Sequence, residues 1–312
     1  MTATCDGRVI IVSGGGRGIG RCHALELARR GAQIIVNDLG VEIDGTGRSE
    51  EPARSVVKEI QEAGGEAVAS FHDVSDWNDA QALVHLAVET YGGLDVLVNN
   101  AGILRDRMLV NMMEDEWDSV MRFHLRSTFA PTRWAAAYWR DCSKLGTPRD
   151  ARVINTASPS GLYGNIGQTS YGAAKAGIAS FTIIAALELA RYGVTVNAIA
   201  PAALTRMTEN LGLMPESVPE QAEAYAPEAI APLVAWLASR ESAGVTGRVL
   251  NVSGGTVSVA EGWHAGPAVT TEGWWDADTL GEVLPEAIGR AAANAGMDGV
   301  VPSRASTEAA ER

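Results

Sequence analysis

Residues 9–20 read VIIVSGGGRGIG, an apolar run followed by five glycines within eight residues. Glycines between a buried strand and a helix let the backbone approach a bound phosphate, because no Cβ stands in the way. The loop does not fit the GxGxxG spacing of the best-known dinucleotide fingerprint. Its glycines follow GxxxGxG, from Gly14 through Gly18 to Gly20. The stretch therefore predicts a strand, turn and helix that bind a pyrophosphate.

The same alternation of strand and helix continues along the chain. Seven short apolar runs resemble strands: RVIIV, AQIIVN, EAVASF, LDVLVN, ARVINTA, VTVNAIA and GRVLNV. Helical patterns lie between them at residues 18–30, 51–64, 76–91, 114–140, 169–192 and 227–239. Apolar strands separated by helices are typical of a parallel sheet covered on both faces. We predict an α/β fold, a Rossmann-type doubly wound parallel sheet of about seven strands.

The predicted domain covers residues 1–255, and residues 256–312 form a C-terminal extension. The extension holds a predicted helix at 279–294 and a polar end predicted to be disordered. Two connections exceed the usual length, residues 39–50 and 202–226. Long connections in a compact domain are often lids or binding loops.

Composition excludes several classes of protein. The net charge of −13 argues against a nucleic-acid surface, which needs clustered Lys and Arg. The longest apolar stretch is too short for a membrane span and contains Glu188, and no signal segment is recognisable at the N-terminus. The three cysteines match no metal spacing, so no metal is predicted. We expect a soluble cytoplasmic protein.

Asp38 follows the second strand, 18 residues after Gly20. A carboxylate at this offset binds the ribose hydroxyls of the adenosine and repels a 2′-phosphate. Residue 39 is Leu and not Arg. The pattern therefore predicts NAD over NADP as the cofactor. The alternative is that Asp38 is only a turn residue before Gly40.

Tyr171 and Lys175 lie one turn apart on the same face of a predicted helix. A free phenol ionises near pH 10 and is a poor base at neutral pH. A neighbouring ammonium, with the positive nicotinamide ring nearby, stabilises the phenolate. Such a pair alone is common by chance and usually lies on a helix surface, so it indicates a proton-exchanging tyrosine only together with the motifs that follow.

These motifs together resemble the short-chain dehydrogenase/reductase family over residues 6–255. The family writes its glycine loop TGxxxGxG, and NNAG at residues 99–102 is a second signature. The resemblance implies that Ser158, 13 residues before Tyr171, binds the substrate oxygen. Ser160 is the competing serine. The resemblance implies cofactor contacts from Ser13, Gly14, Arg17, Gly18, Ile19, Gly20, Asp38, Asp73, Val74, Asn99, Ala101, Gly102, Tyr171, Lys175, Pro201 and Thr205.

Two positions depart from the family pattern. His124 stands where the family usually has an asparagine that orders a water in the proton relay. An imidazole both accepts and donates, so His124 is a candidate catalytic residue, but it also titrates near neutrality. The alternative is that His124 packs under the sheet. Thr205 lies one position earlier than the family threonine after Pro201.

Within the family, the segments VNDLG, NNAGILRDR and HLRSTF resemble the (3R)-hydroxyacyl-CoA dehydrogenase part of peroxisomal multifunctional enzymes of type 2, which shares the histidine. This implies a (3R)-3-hydroxyacyl-CoA as substrate. The alternatives are a steroid or another free alcohol and, ranked lower, an NAD-binding protein without turnover. A chain of 312 residues leaves no room for the hydratase and sterol-carrier parts, so we expect a free-standing dehydrogenase.

Three further features concern partners. Arg105, Arg107 and Arg206 are candidates for the CoA phosphates, or ordinary surface residues. The extension carries three tryptophans, Trp263, Trp274 and Trp275. Such residues pack an extension onto a core or a partner subunit more often than they cover a substrate. We expect a homodimer or homotetramer.

Overall fold

The computed structural model describes residues 4–204 and 225–302. Within them an eight-stranded sheet has the order β3-β2-β1-β4-β5-β6-β7-β8. The strands are β1 Val9–Ser13, β2 Gln33–Asn37, β3 Glu66–Ser70, β4 Val96–Asn99, β5 Ala151–Thr156, β6 Val194–Pro201, β7 Val249–Ser253 and β8 Thr256–Ala260. Every pairing from β3 to β7 is parallel. The predicted Rossmann-type doubly wound sheet is confirmed.

Helices cover both faces of the sheet. In the described residues they are α1 Gly18–Arg29, α2 Glu51–Glu62, α3 Trp77–Tyr91, α4 Glu114–Met121, α5 Ser127–Lys144, α6 Pro159–Tyr163, α7 Thr169–Leu189, α8 Ala231–Ala238 and α9 Ala277–Arg290. Alternate residues of each strand enter opposite apolar cores, as the pleat requires. Ile10 packs on the face covered by α1, α2 and α8, and Ile11 packs on the face of α3, α5 and α7.

The order of the strands creates the binding crevice. β1 pairs with β2 on one side and with β4 on the other. The helices that follow β1 and β4 therefore leave the sheet towards opposite faces. Ligands of doubly wound folds bind at this switch point, outside the carboxyl ends of the strands. The glycine loop and NNAG meet there.

The sequence-based prediction differs from the structure in two elements. The predicted helix at 114–140 is divided, because a π-helical turn at Arg122–Arg126 separates α4 from α5. The eighth strand falls in the predicted extension, where Gly254 and Gly255 turn the chain from β7 into β8. The chain divides into two compact units, one up to Val259 and one from Ala260. The second unit contains α9, whose first turn is capped by the Asp276 carboxylate.

The segment Thr169–Tyr192 is long and apolar enough to cross a membrane by length and composition alone. It consists of α7 and the short 3-10 turn that follows it. Here α7 packs on α6 and β6 in the core of the domain. This packing buries one side of the helix, while Ile183, Ile184 and Leu187 remain exposed.

Candidate active site

The glycine loop between β1 and α1 is built from backbone that only glycine tolerates. Gly14 and Gly18 have positive φ angles, 62° and 52°. A Cβ on Gly14 would lie 2.8 Å from the Cα of Ala101, and one on Gly16 would lie 2.8 Å from Oδ2 of Asp38. The spacing of glycines thus follows from the close approach of three loops.

The N-terminus of α1 faces this loop. Arg17 occupies the N-cap position without a side-chain cap, and the first turn holds no acidic residue. Uncapped amides and the positive end of the helix dipole favour an anion at this point. The residues present therefore fit the pyrophosphate of a dinucleotide.

Ser13 fixes the loop to the end of β4. Its hydroxyl accepts hydrogen bonds from the amides of Asn100 (3.1 Å) and Ala101 (3.3 Å) and donates to the carbonyl of Val98 (3.3 Å). The Asn100 amide group donates to the Gly14 carbonyl at 3.2 Å. Sequence reasoning missed Asn100, although the second letter of NNAG was the available signal.

The side chain of Asn99 is hydrogen-bonded within the protein, and its predicted cofactor contact stays a prediction. It is buried, and its amide nitrogen donates to Thr132 Oγ1 at 2.8 Å and to Asn155 Oδ1 at 2.9 Å. Successive side chains of a strand point to opposite faces, so Asn99 turns inward where the strand ends. Its side chain holds β4 to β5 and α5.

Two carboxylates, Asp38 and Asp73, follow β2 and β3 at the edge of the sheet where the glycine loop lies. Asp38 accepts hydrogen bonds from the amides of Gly16 (2.8 Å) and Gly40 (2.7 Å). Asp73 is buried and accepts from Arg122 Nη2 at 2.8 Å. Val74, beside it, packs into the core. Asp38 is thus more than a turn residue, because it also binds the glycine loop.

Residues 39–50 lie against two sides of this region. Arg17 Nη1 donates to the carbonyl of Val41 at 3.0 Å, and the amide of Leu104 donates to the carbonyl of Ile43 at 2.9 Å. The long connection therefore joins the glycine loop to the segment after β4.

Ser158, Tyr171 and Lys175 meet at the carboxyl end of β5. Ser158 follows that strand and caps α6, while the other two lie in the first turns of α7. Lys175 Nζ donates to the Thr156 carbonyl at 2.7 Å and lies 5.5 Å from the centre of the Tyr171 ring. The sequence pattern and the fold agree on this grouping.

Burial, and not mutual charge, dominates the acidity of this pair in the cofactor-free protein. Burial raises the pKa of Tyr171 to about 12, although the Ser158 hydroxyl opposes the rise. Burial lowers the pKa of Lys175 to about 7. Both charged forms lose hydration when they are buried. Stabilisation of the phenolate by Lys175 together with the positive nicotinamide ring stays a prediction.

His124 lies in the π-helical turn, where its ring meets the edge of Tyr171 with 5.1 Å between ring centres. The hydroxyls of Ser127 and Thr128 donate hydrogen bonds to the His124 carbonyl within this turn. Imidazole Nε2 lies 2.6 Å from the carbonyl oxygen of Ile103. Nε2 also lies 3.2 Å from the Ile103 amide nitrogen. Because a carbonyl oxygen can only accept, the shorter contact assigns the hydrogen to Nε2, which donates a hydrogen bond to the Ile103 carbonyl.

The other ring nitrogen of His124, Nδ1, is buried with no hydrogen-bond partner in the described part of the chain. Burial lowers the pKa of His124 to about 3, so titration near neutrality does not occur. A neutral ring with a free lone pair is an acceptor for a water molecule or another donor.

The remaining candidates fall into three groups. The Ser160 hydroxyl donates to Gln168 Oε1 at 2.7 Å and is already engaged. Arg107 pairs with Glu116 at 2.7 Å, and Arg105 lies 3.5 Å from Asp115. Thr205 and Arg206 lie outside the described residues.

Pro201 ends β6 at the same edge of the sheet. In the C-terminal unit Trp263 and Trp274 are exposed, whereas Trp275 is partly buried. No group of three or more potential metal ligands occurs within residues 4–204 and 225–302.

Comparison of the sequence with known protein families agrees with the fold and the grouping of side chains described above. Residues 8–215 match the family model described as short chain dehydrogenase. The chain belongs to the short-chain dehydrogenase family. It is therefore an oxidoreductase that acts on CH–OH groups and uses a nicotinamide cofactor.

One of the relatives is named for a hydroxyacyl-CoA substrate. Hydroxyacyl-CoA dehydrogenase ChsB1 of Mycobacterium tuberculosis is 43% identical over 91% of this chain and 89% of its own length. Peroxisomal multifunctional enzyme type 2 of mouse is 43% identical over 83% of this chain, which spans 32% of that protein. A crystal structure of a short chain dehydrogenase from Mycobacterium avium is 51% identical, with a TM-score of 0.84, over 93% of this chain and 98% of that one.

Proposed function

We propose that this protein is an NAD-dependent dehydrogenase that interconverts (3R)-3-hydroxyacyl-CoA and 3-oxoacyl-CoA. The observation that carries the proposal is the convergence of Ser158, Lys175 and the neutral His124 on the phenol of Tyr171. That group lies at the switch-point edge of the sheet, next to the loop that fits a dinucleotide.

NAD is favoured over NADP by the carboxylate of Asp38. It stands where the adenosine ribose would bind, and a 2′-phosphate would meet its negative charge. Leu39 supplies no positive charge there. Ser13 and Asn100 hold the loop in place, while the backbone of residues 14–20, with Ala101 and Gly102, would contact the dinucleotide.

A bound nicotinamide supplies the hydride acceptor or donor. In the oxidation direction, Ser158 would donate a hydrogen bond to the substrate oxygen, and Tyr171 Oη, present as the phenolate, would accept the hydroxyl proton. The carbon–oxygen double bond would form from the O–H electron pair while the C–H hydride passes to the bound oxidised nicotinamide. Lys175 holds positive charge near the phenolate, and Nδ1 of His124 accepts a hydrogen bond from a water in the proton path.

The proposed substrate is supported by the names of relatives and by the histidine at position 124. The chain covers most of ChsB1 but about a third of the mouse multifunctional enzyme. Arg105 and Arg107 already pair with carboxylates, so a CoA phosphate would have to compete for them. The second candidate is a steroid or other free alcohol, and the third is an NAD-binding protein without turnover.

We propose that the chain acts in the cytoplasm as a homodimer or homotetramer. Support for assembly comes from α7, which exposes Ile183, Ile184 and Leu187. Apolar residues grouped on one helix face commonly lie in subunit interfaces. Light scattering at several concentrations tests this, and a monomer throughout would contradict it.

The function is tested by NADH formation, with matched pairs of (3R)- and (3S)-3-hydroxyacyl-CoA, free hydroxy acids and steroid alcohols. We expect turnover of the (3R)-thioester with NAD, and at least ~100-fold less after Tyr171→Phe. Tyr192→Phe, at the far end of the same helical segment, is the control and keeps wild-type activity. Normal turnover by Tyr171→Phe contradicts the mechanism. Preference for free alcohols favours the second candidate, and NADH binding without turnover favours the third.

A further inference from the structure

Gln168 lies between the turn that carries Ser158 and the helix that carries Tyr171. It is 4% exposed and immediately precedes α7, where its carbonyl accepts a hydrogen bond from the amide of Gly172 at 2.7 Å. A buried polar side chain at this position is costly unless it is hydrogen-bonded. Its role is not explained by contact with substrate or cofactor.

The side-chain amide of Gln168 has partners from three segments. Oε1 accepts from Ser160 Oγ at 2.7 Å and from Asn165 Nδ2 at 2.9 Å. Nε2 donates to Asp106 Oδ2 at 2.8 Å. Turning the amide over would place its oxygen against a carboxylate and its nitrogen against the Asn165 donor. The network thus fixes both the place and the orientation of Gln168.

This network reaches Ser158 through Ser160. The amide of Ser160 donates to Ser158 Oγ at 3.2 Å. Residue 159 is proline and has no N–H, so the Ser160 amide is the first donor after Ser158. Because that amide occupies a lone pair of Oγ, the hydroxyl proton of Ser158 remains available for donation. The direction of the hydroxyl therefore depends on where Ser160 is held.

The same residue joins the segment after β4 to the start of α7. Arg107 and Gln168 form a parallel bridge, in which the Arg107 amide donates to the Gly167 carbonyl at 2.8 Å. Asp106 is thereby held against Gln168. Gln168 therefore binds the segment after β4, the segment before α7 and the turn that carries Ser158 and Ser160.

We propose that Gln168 is a positioning residue, which fixes the direction of the Ser158 hydroxyl relative to the Tyr171 phenol by holding Ser160. The side-chain oxygen and nitrogen of Gln168 are both occupied by protein partners, so it acts through Ser160. The inference rests on the proposed dehydrogenase function, in which Ser158 binds the substrate oxygen.

A double-mutant cycle tests this on the secondary alcohol that the wild-type enzyme oxidises fastest. Gln168→Leu lowers kcat by about 100-fold, the scale of a misplaced reactive group, and leaves KM for NAD unchanged. In the Ser158→Ala background the same substitution lowers kcat less than about twofold, because its effect passes through Ser158. Equal losses in both backgrounds would overturn the proposal, since a general packing defect acts independently of Ser158.

Two further variants provide a second test and a control. Ser160→Ala removes the link to Gln168 with little change of volume, and we expect a smaller loss of kcat in the same direction, again absent in the Ser158→Ala background. This cycle replaces the first where Gln168→Leu does not fold. Gln61→Leu, on the exposed side of α2, removes one hydrogen bond to the Ala67 carbonyl and keeps full activity as the control.

A crystallographic comparison decides the positioning role without any substrate. In the folded variant of the cycle, Ser158 Oγ moves away from the Ser160 amide or occupies more than one rotamer. An unchanged Ser158 overturns the proposal, whatever the enzyme oxidises. Where the wild-type protein oxidises no alcohol, the proposed function fails, and this comparison still decides what Gln168 positions.

Discussion

The imidazole of His124 fills the space that a side chain at Gly102 would need, with Nδ1 2.7 Å from the position of a Cβ there. The two residues come from different motifs, NNAG and the π-helical turn between α4 and α5. The glycine is required because the ring lies against its Cα. The ring in turn is held at the edge of Tyr171, 5.1 Å between centres.

Gly102→Ala should therefore damage both stability and activity. The added methyl group must displace the imidazole, and overpacking of this kind costs about 1–3 kcal/mol of the free energy of unfolding. Urea unfolding and NADH formation measure the two effects. Gly244→Ala is the control, because no atom lies within 4 Å of a Cβ there. Wild-type behaviour of Gly102→Ala would show that the ring is not fixed.

Substitution of His124 separates a relay role from a packing role. Asparagine keeps an acceptor and a donor, so we expect His124→Asn to retain kcat within about tenfold. His124→Leu provides no polar atom and should lose at least ~100-fold. Steady-state kinetics at saturating cofactor measure both. Equal rates for the three proteins would exclude His124 from the proton path.

The free energy of unfolding should fall in acid because His124 is buried in its neutral form. Burial holds the pKa of the His124 imidazole at about 3 in the folded protein, against 6.5 for a histidine exposed to water. Below pH 6.5 the unfolded chain binds a proton that the folded chain does not, so the folded state loses stability as the pH falls. Relative to His124→Asn, the wild type should lose about 1.4 kcal/mol between pH 5.5 and 4.5. A constant difference over this range would mean that the ring is protonated in the folded state.

Burial of the Lys175 ammonium should lower the free energy of unfolding of the protein without cofactor. Burial lowers its pKa to about 7, from 10.5, so between these values the unfolded chain binds the extra proton and stability rises with pH. Lys175→Met removes this cost but loses the bond to the Thr156 carbonyl. We expect a gain of about 1–3 kcal/mol at pH 7, with a flatter pH dependence and no activity. A variant less stable than the wild type would contradict this account.

Asp38→Asn tests cofactor choice. The amide can still accept from Gly16 or Gly40, so the loop should remain folded, while the negative charge is lost. We expect the Kd for NADH to rise about tenfold and that for NADPH to fall, because a charge-assisted hydrogen bond and the repulsion of a 2′-phosphate both disappear. Protein fluorescence titrations measure the two constants. Asp118→Asn, on exposed α4, is the control.

Much of the fold was predictable, since it depends on local patterns. The strand runs and the glycine spacing placed β1 to β7 in order, and α1, α2 and α8 begin and end within a few residues of their predicted bounds. β8 was missed because TVSVA, whose side chains are mostly exposed, lacks the buried apolar run of the other strands. The π-helical turn was missed because a single such turn inside a long helical pattern has no sequence motif of its own.

The candidate site was predictable in its membership but not in its chemistry. The resemblance to the short-chain dehydrogenase family, carried by the spacing of the motifs, grouped Ser158 with Tyr171 and Lys175. The sequence could not reveal that the Asn99 side chain is buried against β5 and α5 whereas the Asn100 side chain binds the glycine loop. Two adjacent asparagines look alike in the sequence, and only the fold decides which way each side chain points. Gln168 likewise carries no motif, and only its contacts across three segments mark it.

The sequence by itself determined the class of fold and the family, because strand and helix periodicity and the spacing of GxxxGxG and Tyr-x-x-x-Lys are local properties of the chain. Tertiary structure alone decided the acidity of the site. The pKa values of Tyr171, Lys175 and His124 depend on how much water the folded protein removes from each group, and that is set by residues distant in the chain.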